Sequence, residues 1–395
     1  MNNINRNIFR EEVQDFIAAN LKTDINLLIL KGSPFTDISI QELAQQIVGK
    51  QKAKDKLPLW FEQEHIFFPK KVNLEQTSSG KTALYKTEII HGDSIIDLTG
   101  GFGIDCTYFS KTFKEVVHCE MNSALAEIVQ YNSDVFGVSN MKTIAGDSLN
   151  TLQNLNRKFD WIYIDPSRRN DAKGKVFLLK DCVPNVPVNL DVFFNYCDNI
   201  LIKNSPILDI SNTIDELQFV KEIHIVAVAN EVKELLFSLE KNYDGKITVK
   251  TVNLLKNSRQ EFSFEYGSVT QATYAKPNAF LYEPNSAILK SGAFQQIATQ
   301  LNLSKLHQHS HLYTSQELKE NFPGRSFKIE AIHTYDKKKI AKLLPEKKAN
   351  ITTRNFPETV ATIRKKTKIK EGGNIFLFFT TDLEEKKIVI FCSKI

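Results

Sequence analysis

The sequence predicts an α/β protein: a mostly parallel sheet, preceded by a helical module and followed by a smaller α+β module. Three observations carry this. From residue 93, short apolar runs alternate with polar, helix-like segments, the pattern of a parallel sheet covered on both faces. Residues 1–60 instead show apolar positions clustered at helical spacing. Residues 319–395 mix strand-like runs with a dense stretch of lysine and arginine.

The chain has 395 residues, enough for two or three domains at roughly 100–200 residues each. A charged fraction of 25% with 10% aromatics argues against a disordered chain, and a net charge of +5 selects no partner by itself. No stretch approaches the roughly 18–20 apolar residues of a membrane span. The start, MNNINRNIFREEVQDF, lacks an apolar h-region, so the expected compartment is the cytoplasm. Five cysteines without a CxxC pair predict neither a disulfide framework nor structural zinc. His307, His309 and His311 cluster without an acidic or cysteine partner at a recognisable spacing, so no metal is predicted.

In order along the chain, EEVQDFIAANL and INLLILKG predict helices, the second ended by Gly32 and Pro34. Asp37 is the expected cap of the helix in SIQELAQQIVGKQKAKDK. Strands are predicted in SIIDLTG (94–100), EVVHCE (115–120), KTIAGD (142–147), FDWIYIDP (159–166), NILIKNSP (199–206) and EIHIVAVA (222–229). ITVKTVNL (247–254) and EFSFEY (261–266) are further candidates. AFLYEPNSAILKSGAFQQIATQLNL reads as a turn and an amphipathic helix. HLYTS, SFKIEAIHTY, GGNIFLFFTT and KKIVIFCS read as strands around a helix-like KKKIAKLLPE. The expected boundaries are 1–85, 86–270, 275–318 and 319–395.

IIDLTGGFGIDC is the sharpest local signal. Asp97 closes a buried strand, and Gly100, Gly101 and Gly103 turn the chain into a helix. A dinucleotide site wants G-x-G-x-x-G, but the third glycine is missing, and Asp97 and Asp105 would repel a diphosphate. Those carboxylates suit the ammonium and sulfonium of S-adenosylmethionine, which carries no phosphate. Loop candidates for this cofactor are Asp97, Thr99, Gly100, Gly101, Gly103 and Asp105. Glu120, at the end of the next strand, can accept both ribose hydroxyl hydrogens, and Asp147, after the third, can hold the adenine amino group. SSGKT (78–82) resembles the end of a P-loop, but Glu75 stands where its first glycine should be.

After the fourth strand, Asp165, Pro166 and Ser167 are the catalytic candidates. They occupy the place where amino-group methyltransferases carry Asp/Asn-Pro-Pro-aromatic, a loop that turns an amine lone pair toward the methyl group. The second proline and the aromatic are absent. Arg168 and Arg169 can clamp a phosphate or carboxylate of the acceptor, or can be salt-bridged or solvated. Lys203 and Asn204 at the fifth strand's end can orient an acceptor or cap a turn. No motif marks Cys182 as a base-attacking nucleophile.

These residues resemble those of the class I S-adenosylmethionine-dependent methyltransferases, with a Rossmann-like seven-strand sheet. More narrowly, the chain is similar to a bacterial group with a C-terminal THUMP-like domain preceded by a small ferredoxin-like segment. The resemblance covers nearly the whole chain: LEQTSSGKTALYK (74–86), DLTGGFGID (97–105), YIDPSRR (163–169), YEPNSAILKSGAF (282–294) and TRNFPETVATIRKKTKIKEGGNIFLF (353–378). It implies that Gln76, Ser78 and Thr82 lie near the cofactor. Tyr131-Asn132 resembles a helix frequent in RNA-modifying members. True THUMP domains grip structured RNA, which implies a tRNA or rRNA partner here. Independently, residues 337–373 hold twelve Lys/Arg against three Glu, a local excess of +9. Arg354, Arg364, Lys365, Lys366, Lys368 and Lys370 are the expected phosphate contacts. The leading expectation is methyl transfer to a base nitrogen of tRNA or rRNA. The alternatives are a protein or small-molecule methyltransferase, or a noncatalytic RNA-binding protein retaining the cofactor fold.

Overall fold

The computed structural model describes residues 4–168, 178–344 and 346–395, and the chain divides into two compact units. The first comprises residues 1–221 and 235–244, the second residues 222–234 and 245–395.

The first unit opens with helices α1 (Glu11–Ala19), α2 (Ile25–Lys31), α3 (Ile40–Lys56), α4 (Pro58–Glu62), α5 (Lys71–Gln76) and α6 (Gly80–Ile89). Ser39, not Asp37, caps α3: its hydroxyl accepts the Glu42 N–H while Glu42 accepts the Ser39 N–H, a reciprocal box. Asp37 lies two residues too early and binds Arg10 instead, at 2.8 Å. Apolar faces of these helices converge on Trp60, which is buried and stacked 6.2 Å from Tyr108. Their cluster extends to Phe102, Ile104, Leu125 and Ile128, so the helical module shares a core with the elements carrying the glycine loop.

Those elements follow in order: β1 (Ser94–Asp97), α7 (Ile104–Phe109), β2 (Glu115–Glu120), α8 (Ser123–Val135), β3 (Met141–Ala145), α9 (Ser148–Leu155) and β4 (Phe159–Ile164). A short antiparallel pair, β5 (Ser167–Arg168) and β6 (Cys182–Val183), precedes α10 (Val186–Phe193), β7 (Cys197–Asn204) and α11 (Ile210–Glu216). The chain leaves the first unit within β8 (Val220–Val228) and returns within β9 (Glu231–Glu240). The strand order is β9-β7-β4-β1-β2-β3. β7, β4, β1, β2 and β3 run parallel, while β9 pairs antiparallel with β7. Parallel pairing places the carboxyl ends of β1, β2, β3, β4 and β7 on one rim. β1 is buried at Ile95, Ile96 and Asp97, as its short apolar run predicts.

In the second unit, β8 pairs parallel with β10 (Thr248–Leu254), which pairs antiparallel with β11 (Arg259–Glu265). After these come β12 (Thr273–Tyr274), β13 (Phe280–Pro284), α12 (Ser286–Ser291), α13 (Gln296–Gln300), β14 (Ser304–Lys305) and β15 (Tyr313–Ser315). The unit ends with β16 (Gly324–Thr334), α14 (Lys337–Lys342), β17 (Asn350–Arg354), α15 (Val360–Thr367), β18 (Ile375–Thr381) and β19 (Lys387–Lys394). A sheet of order β12-β14-β15-β13-β16-β19-β18-β17 organises it. Residues 280–284, read as a turn, form a strand because Leu281 and Tyr282 are fully buried between two antiparallel neighbours. Among the described residues no helix is long and apolar enough to cross a membrane, and no group of three or more His, Cys, Asp and Glu could hold a metal ion.

Candidate cofactor and acceptor site

The glycine loop sits on the rim between β1 and α7. Gly100 has φ +38°, and a Cβ there would lie 2.3 Å from the Cys119 carbonyl oxygen and 2.8 Å from His118 Nε2. No other residue type fits this close approach of the loop to β2. Gly103, with φ +71°, would press a Cβ 2.7 Å from Val129 Cγ1. The loop is thus built to bring main chain against the strand ends.

Asp97 shapes the loop from beneath. Its Oδ1 accepts from Thr99 N (2.8 Å), Thr99 Oγ1 (2.9 Å) and Gly100 N (3.0 Å), and Cys106 Sγ donates to its Oδ2 at 3.3 Å. Burial pushes its carboxyl up to about 6, against the bonds from Thr99, with Asp105 repulsion adding to the rise. Glu120, half-buried at the end of β2, accepts the Gly101 N–H at 2.8 Å and the Asn122 N–H at 2.7 Å. A carboxylate has about four acceptor positions, so these two bonds orient it and leave capacity for hydroxyl donors.

Asp105, in the first turn of α7, joins a buried network absent from the sequence reading. Ser78 Oγ and Tyr163 OH both donate to its Oδ2 at 2.8 Å, and Lys86 Nζ lies 3.3 Å from Oδ1. Burial pushes the Asp105 carboxyl up, but the Lys86 and Lys203 charges with the Ser78 and Tyr163 bonds outweigh it and hold it below the usual range. Lys86 is fully buried on α6. Its position within the helix carries no motif; only a demand for a charge partner to a buried acid could have singled it out.

The acceptor loop is wired to the same centre. Asp165 N–H donates to Thr99 Oγ1 at 2.7 Å, so one hydroxyl spans the glycine loop and the loop after β4. Asp165 Oδ2 is ion-paired with Lys203 Nζ, whose side chain is largely buried. Asn204, at the end of β7, is 2% exposed, and neither amide atom has a hydrogen-bond partner among the described residues. Pro166 is half-buried and Ser167 exposed, in the short strand β5.

The remaining expected residues have hydrogen-bond partners or exposures of their own. Asp147 is exposed and caps α9 through the Asn150 N–H, at 2.9 Å. Thr82 is buried in the reciprocal cap of α6 with Ser79, and Gln76 is exposed at the end of α5. Arg169 and the Arg168 side chain lie outside the described residues. Asn132 takes a structural place: it exchanges two 2.9 Å hydrogen bonds with the Phe67 main chain and anchors the helical module to α8.

In the second unit, Arg354 donates to Glu283 Oε1 at 2.9 and 3.1 Å, and Arg364 reaches the Ile369 and Ala349 carbonyls at 3.2 Å. Lys366 pairs with Glu358 at 2.9 Å. Lys365, Lys368 and Lys370 are exposed.

Comparison with known proteins gives a consistent frame. Protein-family models match residues 280–323 as a ferredoxin-like domain, residues 324–394 as THUMP domain-like, and residues 77–180 as conserved hypothetical protein 95. No curated protein matches the chain. A crystal structure of a candidate methyltransferase from Porphyromonas gingivalis W83 shares 30% identity, covers 97% of each chain and superposes with a TM-score of 0.86. Partial likenesses reach TrmK of M. capricolum bound to S-adenosyl-homocysteine (16% identity, 40% of this chain and 68% of that one, TM-score 0.30) and a candidate RNA methyltransferase of Pyrococcus horikoshii (16%, 48% and 98%, 0.33). Scores this low assign no activity. The full-length match and the two tail domains together place the chain in a family: it belongs to the bacterial class I S-adenosylmethionine-dependent methyltransferases that end in a ferredoxin-like segment and a THUMP-like domain.

Proposed function

We propose that the chain methylates a base nitrogen of a structured RNA, tRNA or rRNA, at the rim between β1 and β4. The observation that carries this reading is the Thr99 hydroxyl, which accepts from Asp165 N–H and donates to Asp97, fixing the acceptor loop against the donor loop. Bound S-adenosylmethionine supplies an electrophilic methyl on a sulfonium. The residues present suit that cofactor: Asp97 would meet its cationic amino-acid end, the Gly100–Gly101 main chain leaves room for close approach, and Glu120 retains acceptor capacity for ribose hydroxyls. Asp147 completes the proposed cradle at the adenine.

Asp165 accepts a hydrogen of the target amine and aims the nitrogen lone pair. Lys203 fixes the Asp165 carboxylate in place. With the methyl supplied by the bound cofactor, Asp165 and solvent would take the proton that the target nitrogen gives up. Pro166 and Ser167 shape the loop, and the unpartnered Asn204 amide is a contact for the acceptor. The exposed lysines of residues 337–373 support the RNA assignment.

The test is transfer of labelled methyl from S-adenosylmethionine into total RNA and total protein of a strain lacking the gene. Label in one discrete RNA species is expected, and label in protein alone overturns the RNA reading. Asp165→Ala should abolish transfer while donor binding, followed by calorimetry, stays near wild type. Near-normal turnover in that variant would remove Asp165 from the chemistry.

A further inference from the structure

We propose that the second unit carries a phosphate-binding site where residues 304–311 meet the end of β17, formed by His309, His311 and Arg354 above the buried ammonium of Lys305. It rests on the RNA reading only for the identity of the molecule that carries the phosphate.

Lys305 is the observation that demands a ligand. It is 1% exposed, and its ammonium donates to the Gln308 carbonyl at 3.0 Å and lies 5.8 and 5.9 Å from the Phe294 and Tyr274 rings. No carboxylate pairs with it among the described residues. Burying an ammonium without an anion is unfavourable, and burial holds its pKa below the ordinary value. Nearby acids are already engaged: Glu283 by Arg325 and Arg354, and Glu385 by His307 at 2.8 Å.

His311 stacks on the same Phe294, with ring centroids 3.6 Å apart, and its Nδ1 has no hydrogen-bond partner among the described residues. Burial, then the charges of Lys305, Arg354 and His309, push its pKa down to about 4. His309 is exposed. Arg354 binds Glu283 through Nε and Nη2, and the guanidinium remains about one-third exposed. A buried ammonium, a guanidinium bound to one carboxylate and two imidazoles gathered at one corner are the environment a multiply charged, acceptor-rich group relieves. A phosphate, with three or four acceptor oxygens, can meet an arginine, two imidazoles and the field of a lysine together. Its arrival favours the protonated His311, so binding is coupled to proton uptake.

The experiment uses the full chain, with Lys305→Met and His311→Gln as variants and thermal melting as the check of folding. The His311 ring resonances are followed by NMR through pH titrations with inorganic phosphate and, separately, with a structured RNA. Phosphate should raise the pH at which His311 titrates, and Lys305→Met should shrink that rise. RNA affinity should lose about one unit of slope against log salt in Lys305→Met, the loss expected for one phosphate contact. A merely structural Lys305 predicts the opposite: the methionine variant melts lower yet keeps wild-type phosphate and RNA responses, which overturns the site. If the chain ignores RNA but phosphate still moves His311, the site stands and the RNA reading fails. If RNA binds with unchanged slope in both variants and phosphate moves nothing, the site fails and the RNA reading stands. A lowered slope without a phosphate response assigns the site to RNA.

Discussion

Asp97 accepts three loop hydrogen bonds while fully buried, and its carboxyl is pushed up to about 6. An unfolded aspartate titrates near 4, so between about pH 4 and 6 the unfolded chain has released a proton that the folded chain keeps. Stability attributable to this residue therefore falls as pH rises through that window, and the penalty is complete above it. Asp97→Asn retains an Oδ1 acceptor and carries no such penalty. Its melting temperature should gain on the wild type from pH 4 to 6 and hold that gain to pH 8. A gap independent of pH would contradict the burial argument. The same variant should bind S-adenosylmethionine about 10–100-fold more weakly, the value of one charge-assisted hydrogen bond. Asp97 and Glu120 were legible in the sequence because parallel strands put every strand-end acid on one rim. Lys86 and Tyr163 were not, because a residue inside a helix or strand gains its role only from the acid that folding brings to it.

At the scale of elements, local signals set the helices, and long-range pairing overrode them elsewhere. Ser39 with Glu42 has the spacing of a reciprocal cap, so the start of α3 was readable, although Asp37 competed for the role. The segment EVKELLFSLE has ordinary helix-forming composition, yet it forms β9, where Leu235 to Leu239 pair against β7. Pairing against a buried strand outweighs intrinsic preference there. Asn132 shows the same limit from the other side: Tyr131-Asn132 looks like a functional signature, and the structure uses Asn132 to dock the N-terminal helices. Asn132→Ala would strand the Phe67 N–H and carbonyl in a buried setting, at a cost of about 2–4 kcal/mol. Urea unfolding should show that loss, with early protection lost in residues 4–74 under limited proteolysis. A loss no larger than that of a surface substitution would mean the helical module is held by its apolar contacts alone.

Over the whole molecule, the sequence located charge better than it located free charge. Of the six cations expected to hold phosphate, Arg354, Arg364 and Lys366 are bound to Glu283, to two carbonyls and to Glu358, whereas Lys365, Lys368 and Lys370 stand exposed. Partners of this kind come from residues up to 71 positions away, which no local count of charge can anticipate. Arg364 and the three exposed lysines should therefore separate under substitution. A triple variant, Lys365→Gln, Lys368→Asn and Lys370→Gln, uses asparagine where φ is +61° because that residue tolerates left-handed backbone. It should melt like the wild type, while the slope of log RNA affinity against log salt falls by up to about 3. Arg364→Gln should instead lose about 1–3 kcal/mol of stability, because two carbonyls lose their charged donor, with a smaller change in salt slope. Equal slopes for the triple variant and the wild type would remove these lysines from the proposed RNA surface. Equal stability for Arg364→Gln would return that arginine to it.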